Sequence, residues 1–286
     1  MLKKLTEQEI VFEELRKTGY VIFEDLLRPE EVDSLSEQLN HWFDKTPSCQ
    51  GEFYGETTTR FGSLLRKAPL TQELVVRPEI LSIADEFLLP YCDCYQLNLS
   101  QAVRIHPGAP EQPVHRDELM WPCAKESEFL INVIWAIDDF TFENGATRIW
   151  PAHKDQSQAF EYNKDDAIVA KMKKGSALVF LGSTRHCGGA NICNEDRTGI
   201  IFSYSLGWLK QNENQFLAYP PDIASGFSKE IQDLIGYRIH KPNLGGYEYN
   251  CPSNLLGGEH PDVLPAVDAI PDHLLEVIEQ LKQKMG

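Results

Sequence analysis

Three side chains able to ligate a metal, and one able to grip an anion, occur in order along this 286-residue chain: His115-Arg116-Asp117, then His186, then Arg197 11 positions later. Residues two apart on an extended strand project from one face, so His115 and Asp117 can share one ion. Pro110 and Pro113 just upstream favour such an extended path. Two imidazoles and one carboxylate form the facial triad of non-haem Fe(II) oxygenases, which leaves coordination positions open for a cosubstrate and O2. Zinc is the alternative metal, but its hydrolytic sites use a general base, and no Glu is convincingly placed for that task.

A His-x-Asp triplet alone says little in a chain with 8 histidines, and His260-Pro261-Asp262 supplies a second one. Downstream context separates the two. A strand-rich stretch, His186 and Arg197 follow the first, whereas no arginine follows the second, which reads as turn and surface. From Arg197 onward, Arg197, Gly199, Ile201 and Ser203 fall on one strand face. An arginine at the mouth of that small, partly polar face can hold a carboxylate bidentately, as lysine cannot.

The rest of the chain must position these groups. With 42% hydrophobic and 24% charged residues it has the composition of a globular protein. Its 27 basic against 43 acidic residues leave a formal charge of −16, which disfavours nucleic acid and anionic membranes as partners. Arg60, Arg66 and Lys67 read as a short solvated basic patch. The 7 scattered cysteines contain no Cys-x-x-Cys pair and fit reduced thiols. The N-terminus lacks the apolar stretch of a signal peptide, and no segment nears the about 20 apolar residues of a membrane span; the expected location is cytoplasmic.

Thr6 with Glu9 resembles a capping box opening a short amphipathic helix that ends at Gly19. Tyr20 to Phe23 reads as a strand. Pro29 opens a helix with Val32, Leu35, Leu39 and Trp42 at core spacing, and another helix runs from Ile80 to Leu88. From Tyr91 to Leu209 the texture is of short apolar runs, among them Phe129–Ile137, Ala177–Leu181 and Gly199–Leu206, separated by turn residues. The tail is Gly- and Pro-rich from 236 to 271 and closes with a helix, Leu274 to Lys284, expected to dock back on the body. This pattern predicts a mainly β fold with flanking helices, one domain over 1–286: a mainly helical part at 1–90, a β core at 91–209 and an extension at 210–286.

The set His115-x-Asp117, His186 and Arg197, with Gln112-Pro113-Val114 before it and Glu143-Asn144-Gly145-Ala146-Thr147 within it, resembles the phytanoyl-CoA dioxygenase family. That family is a branch of the Fe(II)- and 2-oxoglutarate-dependent oxygenases. The resemblance runs from Gly19-Tyr20-Val21-Ile22 to Leu209, with similar residues in the tail from Gly236 to Gly246. It implies a double-stranded β-helix, the cupin-like jelly roll, with Fe(II) on His115, Asp117 and His186. It also implies 2-oxoglutarate chelating the metal, its distal carboxylate on Arg197, and Thr147 and Gln112 as hydrogen-bonding partners.

Asn98 and Gln101 fall where this family lines its cosubstrate pocket, although structural hydrogen bonding accounts for them equally well. Cys187, His106 and His153 read as packing or surface. Glu118, Met120, Trp121, Arg60 and Phe61 are candidates for the substrate side. The implied activity is oxidation of an unactivated C–H bond of a small apolar or amphipathic metabolite, with O2 and 2-oxoglutarate consumed, possible in natural-product biosynthesis. Acyl-CoA hydroxylation of the namesake type is the rival, and a non-catalytic jelly-roll binding protein is a further one, opposed by the intact ligand set. Oligomeric state is not readable.

Overall fold

A computed structural model of the chain describes residues 6–153, 162–257 and 263–285; the second triplet, His260 to Asp262, lies outside the described residues. The helix Glu7–Thr18 opens on the expected capping box, with Thr6 Oγ1 accepting from Glu9 N and the Glu9 carboxylate returning to Thr6 N. It stops at Gly19, whose φ of 84° suits glycine and where a Cβ would collide with the Thr184 hydroxyl. The helix Pro29–Phe43 buries Val32, Leu35, Leu39 and Phe43. Trp42 is half-buried beside that stripe and donates its indole N–H to Lys67 O at 2.8 Å.

Nine strands are seen among the described residues: β1 (Tyr20–Phe23), β2 (Thr58–Phe61), β3 (Tyr95–Ile105), β4 (Leu130–Ala136), β5 (Arg148–Trp150), β6 (Ile168–Val169), β7 (Ala177–Leu181), β8 (Arg185–Cys187) and β9 (Arg197–Leu206). They form two antiparallel sheets, a major one in the order β1-β7-β4-β9-β3-β2 and a minor one in the order β6-β5-β8. This is the sheet-rich, helix-flanked arrangement expected of a jelly roll. The front of the chain carries helices together with two short strands, the expected β1 and the additional β2, which form the two edges of the major sheet.

Strands β4, β7 and β9 are buried on both faces, which explains their near-continuous apolar reading. One face of the major sheet carries Val133, Trp135, Val179, Phe202 and Tyr204 into a core shared with Leu15, Leu35, Leu39, Ile80 and Ile83 of the helices. The other face turns toward the minor sheet and lines a cavity of about 400 Å³. Asn98, Gln101, Asn132 and Ser203 are polar residues of the major sheet that line it.

The stretch after β9 is stitched to this frame by one carboxylate. Glu213 accepts from Ser63 N at 2.6 Å, from Ser100 N at 3.0 Å and from Ser100 Oγ at 2.8 Å. Those bonds hold the end of β2 against the middle of β3, and Asn98 adds another by accepting from Asn212 N at 2.8 Å. The closing helix, Asp272–Met285, departs from expectation: Leu274, Leu275, Val277 and Leu281 remain 40–53% exposed instead of docking. Helical periodicity dictates an apolar face; it does not supply a surface to cover it. No helix among the described residues is long and apolar enough to cross a membrane.

Glu213→Ala strands two backbone N–H donors at once. It should lower unfolding free energy by about 3 kcal/mol, read from denaturant titration, and a loss below about 1 kcal/mol would show the stitch to be dispensable.

Candidate active site

His186 occupies the middle of β8, and the segment before Asp117 pairs with it through an antiparallel bridge. His115 N donates to His186 O at 3.0 Å and His186 N to His115 O at 2.9 Å. Directly paired residues bring their side chains together. Asp117 opens the short 3-10 turn Asp117–Met120, and one ligand atom from each of the three residues lies within 4.8 Å of the others. His115 Nε2 is 3.3 Å from Asp117 Oδ1 and His186 Nε2 is 3.7 Å from Oδ2.

Both imidazoles are oriented from behind. His115 Nδ1 is 2.8 Å from Pro113 O and His186 Nδ1 is 3.0 Å from Thr184 O. A carbonyl only accepts, so each Nδ1 carries the proton and each Nε2 offers its lone pair to the cluster. The rings are wedged by Phe53, 4.9 Å from His115, and Phe180, 4.6 Å from His186. Burial alone would raise the Asp117 carboxyl, but His186, His115 and Asn132 outweigh it and hold it below the usual range. Burial pushes His186 down. Ionised carboxylate and neutral imidazole are the ligating forms, so this donor set fits a divalent cation.

From the triad the cavity extends between the sheets to Arg197 at the start of β9. Arg197, Gly199, Ile201 and Ser203 all line it, as the strand alternation predicts. The Arg197 guanidinium is buried over the Phe140 ring at 4.3 Å; its Nε has no hydrogen-bond partner, and no carboxylate among the described residues lies within 4.0 Å. Burial, with Arg60 as a like charge, pushes it down to about 9. A buried cation without a counter-charge is costly and fits an anionic ligand. Thr147 is buried at the same wall, with no hydrogen bond to its hydroxyl among the described residues.

The motif around Thr147 is a built turn. Asn144 Oδ1 accepts from Thr141 N at 2.9 Å, Asn144 Nδ2 donates to Asp139 O at 2.7 Å, and Gly145 takes a φ of 80° where a Cβ would meet the Gly189 carbonyl. Gln112 lines the cavity too. Its Oε1 accepts from Gly188 N at 3.2 Å and its Nε2 donates to Phe53 O at 3.4 Å.

Several residues sit elsewhere than the sequence suggests. Arg60 is no solvated surface charge: it lines the cavity, donates to Gln101 Oε1 at 3.0 Å, lies 4.9 Å over Tyr54 and has a buried, unpartnered Nε. Phe61, next to it on β2, points the opposite way and packs on Phe43 at 4.9 Å, as strand alternation requires. Trp121 also leaves the cavity, meeting Phe129 edge-on and donating to Lys210 O at 3.1 Å, while Glu118 pairs with Lys125 at 3.3 Å. Met120 does line the cavity, together with Leu119, Phe53 and Tyr54, the last three missed because loop aromatics and aliphatics carry no periodic signal.

Asn98 both lines the cavity and is structurally bonded, its Nδ2 donating to Ser203 Oγ at 3.0 Å. Cys187 is buried, its thiol pushed up to about 12 by burial. His106 is structural, bridging Thr59 Oγ1 at 2.9 Å and Asp196 at 2.8 Å; His153 is exposed.

Comparison with known proteins places this geometry. Residues 15–199 match the family model described as phytanoyl-CoA dioxygenase. Dioxygenase FrzG of Cladobotryum sp is 27% identical over 267 residues, covering 83% of this chain and 87% of its own. Dioxygenase trt7 of Aspergillus terreus is 29% identical over 236 residues, covering 78% and 82%. Among solved structures, the epimerase SnoN in complex with Fe3+, alpha ketoglutarate and nogalamycin RO superposes with a TM-score of 0.57 at 17% identity, over 70% of this chain and 84% of that one. That likeness supports the fold. Because the family model takes in well over half of the sequence, and takes in the His115, Asp117, His186 and Arg197 positions, the chain belongs to the phytanoyl-CoA dioxygenase family of Fe(II)- and 2-oxoglutarate-dependent enzymes.

Proposed function

We propose that this chain oxidises an unactivated C–H bond of a small apolar or amphipathic molecule, at Fe(II) held by His115, Asp117 and His186. The observation that carries the reading is the pairing, in one cavity, of a three-ligand cluster with a buried guanidinium that has no carboxylate partner. When bound, Fe(II), 2-oxoglutarate and O2 supply the oxidant for hydrogen abstraction. SnoN, named as an alpha ketoglutarate dependent epimerase, was crystallised with Fe3+ and alpha ketoglutarate.

The chain's own residues do the positioning. Arg197 holds the distal carboxylate of 2-oxoglutarate, and the free hydroxyl of Thr147 donates to it. Arg60, the second cation with an unmatched Nε, adds positive charge to the cavity wall that receives the anion. Gln112 stiffens the wall between Gly188 and the Phe53 loop, and its amide is the remaining contact for the cosubstrate. Water is kept from the metal face by Phe180, Ile134 and Leu130, and the mouth is formed by Phe53, Leu119 and Met120. A cavity of about 400 Å³ suits a metabolite-sized body. Relatives named as fungal dioxygenases, FrzG and trt7, fit a place in secondary metabolism.

Alanine at His115, Asp117 or His186 should abolish 2-oxoglutarate consumption with the circular-dichroism spectrum unchanged; wild-type turnover in His115→Ala would sink the assignment. His260→Ala should leave activity intact. Losing a charge-assisted bidentate pair costs on the order of 2–5 kcal/mol, so Arg197→Ala should raise the 2-oxoglutarate concentration for half-maximal rate at least tenfold, with Arg197→Lys recovering only part.

Substrate class is decided by mass spectrometry on the Fe(II)-loaded enzyme offered panels of terpenoids, polyketides, alkaloids and long-chain acyl-CoAs. The expected product is a small metabolite with one oxygen gained or two hydrogens lost. Hydroxylated acyl-CoA alone would replace this reading with the namesake activity.

A further inference from the structure

Strand β4 reads Leu-Ile-Asn-Val-Ile-Trp-Ala and is buried throughout, so Asn132 is the one polar residue in an apolar strand. Its side chain is 2% exposed, lies on the cavity face between Leu130 and Ile134, and has a buried Nδ2 without a hydrogen-bond partner. An unsatisfied buried amide donor destabilises a fold, and an aliphatic side chain would fit this strand without that cost. Its cross-strand neighbours locate it. Asn132 stands opposite Phe180 on β7, whose ring packs on His186 at 4.6 Å, and opposite Ser203 on β9.

We propose that Asn132 is a positioning residue for the metal centre: its amide donates to the Asp117 carboxylate and fixes which oxygen faces the ion. The inference rests on Asp117 being a metal ligand. Three observations support it. The donor is buried in the wall that also carries Asp117 and His186, with no acceptor of its own. The residue also stands beside the cluster, opposite Phe180, whose ring packs on His186 at 4.6 Å. Finally, the alternative amide rotamer would set an oxygen against a carboxylate, so nitrogen is the atom that faces it. His115 and His186 each have a backbone carbonyl holding the ring from behind; the amide does for the carboxylate what those carbonyls do for the imidazoles. Loss of such outer partners commonly weakens metal affinity 10- to 100-fold.

The test is Co(II) titration of the full-length chain, followed by the d–d absorption of the bound ion, with thermal unfolding of the metal-free protein alongside. Asn132→Leu fills the same space without the donor, and Asn132→Ala removes donor and volume together. Both should weaken Co(II) binding about tenfold, while metal-free Asn132→Leu still unfolds in a single cooperative transition, which shows that the fold is intact. Co(II) affinity within twofold of wild type in Asn132→Leu overturns the proposal. So does a loss confined to Asn132→Ala, which would mark a packing effect. Should leucine prevent folding, Asn132→Thr, which keeps a donor, must bind Co(II) more tightly than the isosteric Asn132→Val; equal affinities overturn the proposal equally. Asp117→Ala separates this inference from the reading beneath it. If that variant binds Co(II) like wild type, the metal site itself is wrong; if it loses binding while Asn132→Leu keeps it, only the positioning role falls.

Discussion

Two backbone hydrogen bonds between His115 and His186, of 3.0 and 2.9 Å, are the constraint on which the rest of the site depends. They dock an otherwise irregular segment against β8 and so place an imidazole from a loop opposite one from a strand. Asp117 then falls within reach of both because it follows two residues later at the start of a tight turn. The minor sheet is small, yet it determines the depth of the cavity, since its inner edge carries His186 and, through the turn at Gly145, Thr147.

Three buried polar atoms without partners, Arg60 Nε, Asn132 Nδ2 and Arg197 Nε, belong to residues that line the cavity, while others among the described residues, such as Trp135 Nε1 and Ser205 Oγ, lie away from it. The frame around the cavity is held by bonds such as those of Glu213, which accepts from two backbone amides and a serine hydroxyl. Buried polar groups are normally paired, so unpaired cations beside a three-ligand cluster suit a divalent ion at one end of the cavity and an anion at the other. A rigid, well-bonded wall holding unbonded groups at its inner surface is preorganised for that ligand.

Much of the frame was legible locally. The capping box at Thr6 and Glu9, the stripe Val32–Leu35–Leu39, and the apolar runs of β4, β7 and β9 each obey a periodicity that neighbouring residues alone impose. Strand β2 escaped, because Thr-Thr-Arg-Phe has no apolar alternation to mark it, and so the sequence left Arg60 open between a solvated patch and the cavity side it takes. The closing helix shows the opposite failure: its apolar face is real, but nothing local determines whether a partner surface exists.

The sequence by itself determined the donor set and the pattern that points it inward: His115 and Asp117 two apart, and Arg197, Gly199, Ile201 and Ser203 on one strand face. Those relations span a few residues, where backbone geometry is the same in any context. Tertiary structure decided which polar side chains find partners. His106 found Thr59 and Asp196, Trp121 found Lys210, and Glu118 found Lys125, so each became part of the frame. Arg197, Arg60 and Asn132 found none at the atoms that matter. Partnership across the 47 to 90 positions that separate His106 and Trp121 from their partners depends on sheet register and closure, and these are properties of the whole chain rather than of any segment of it.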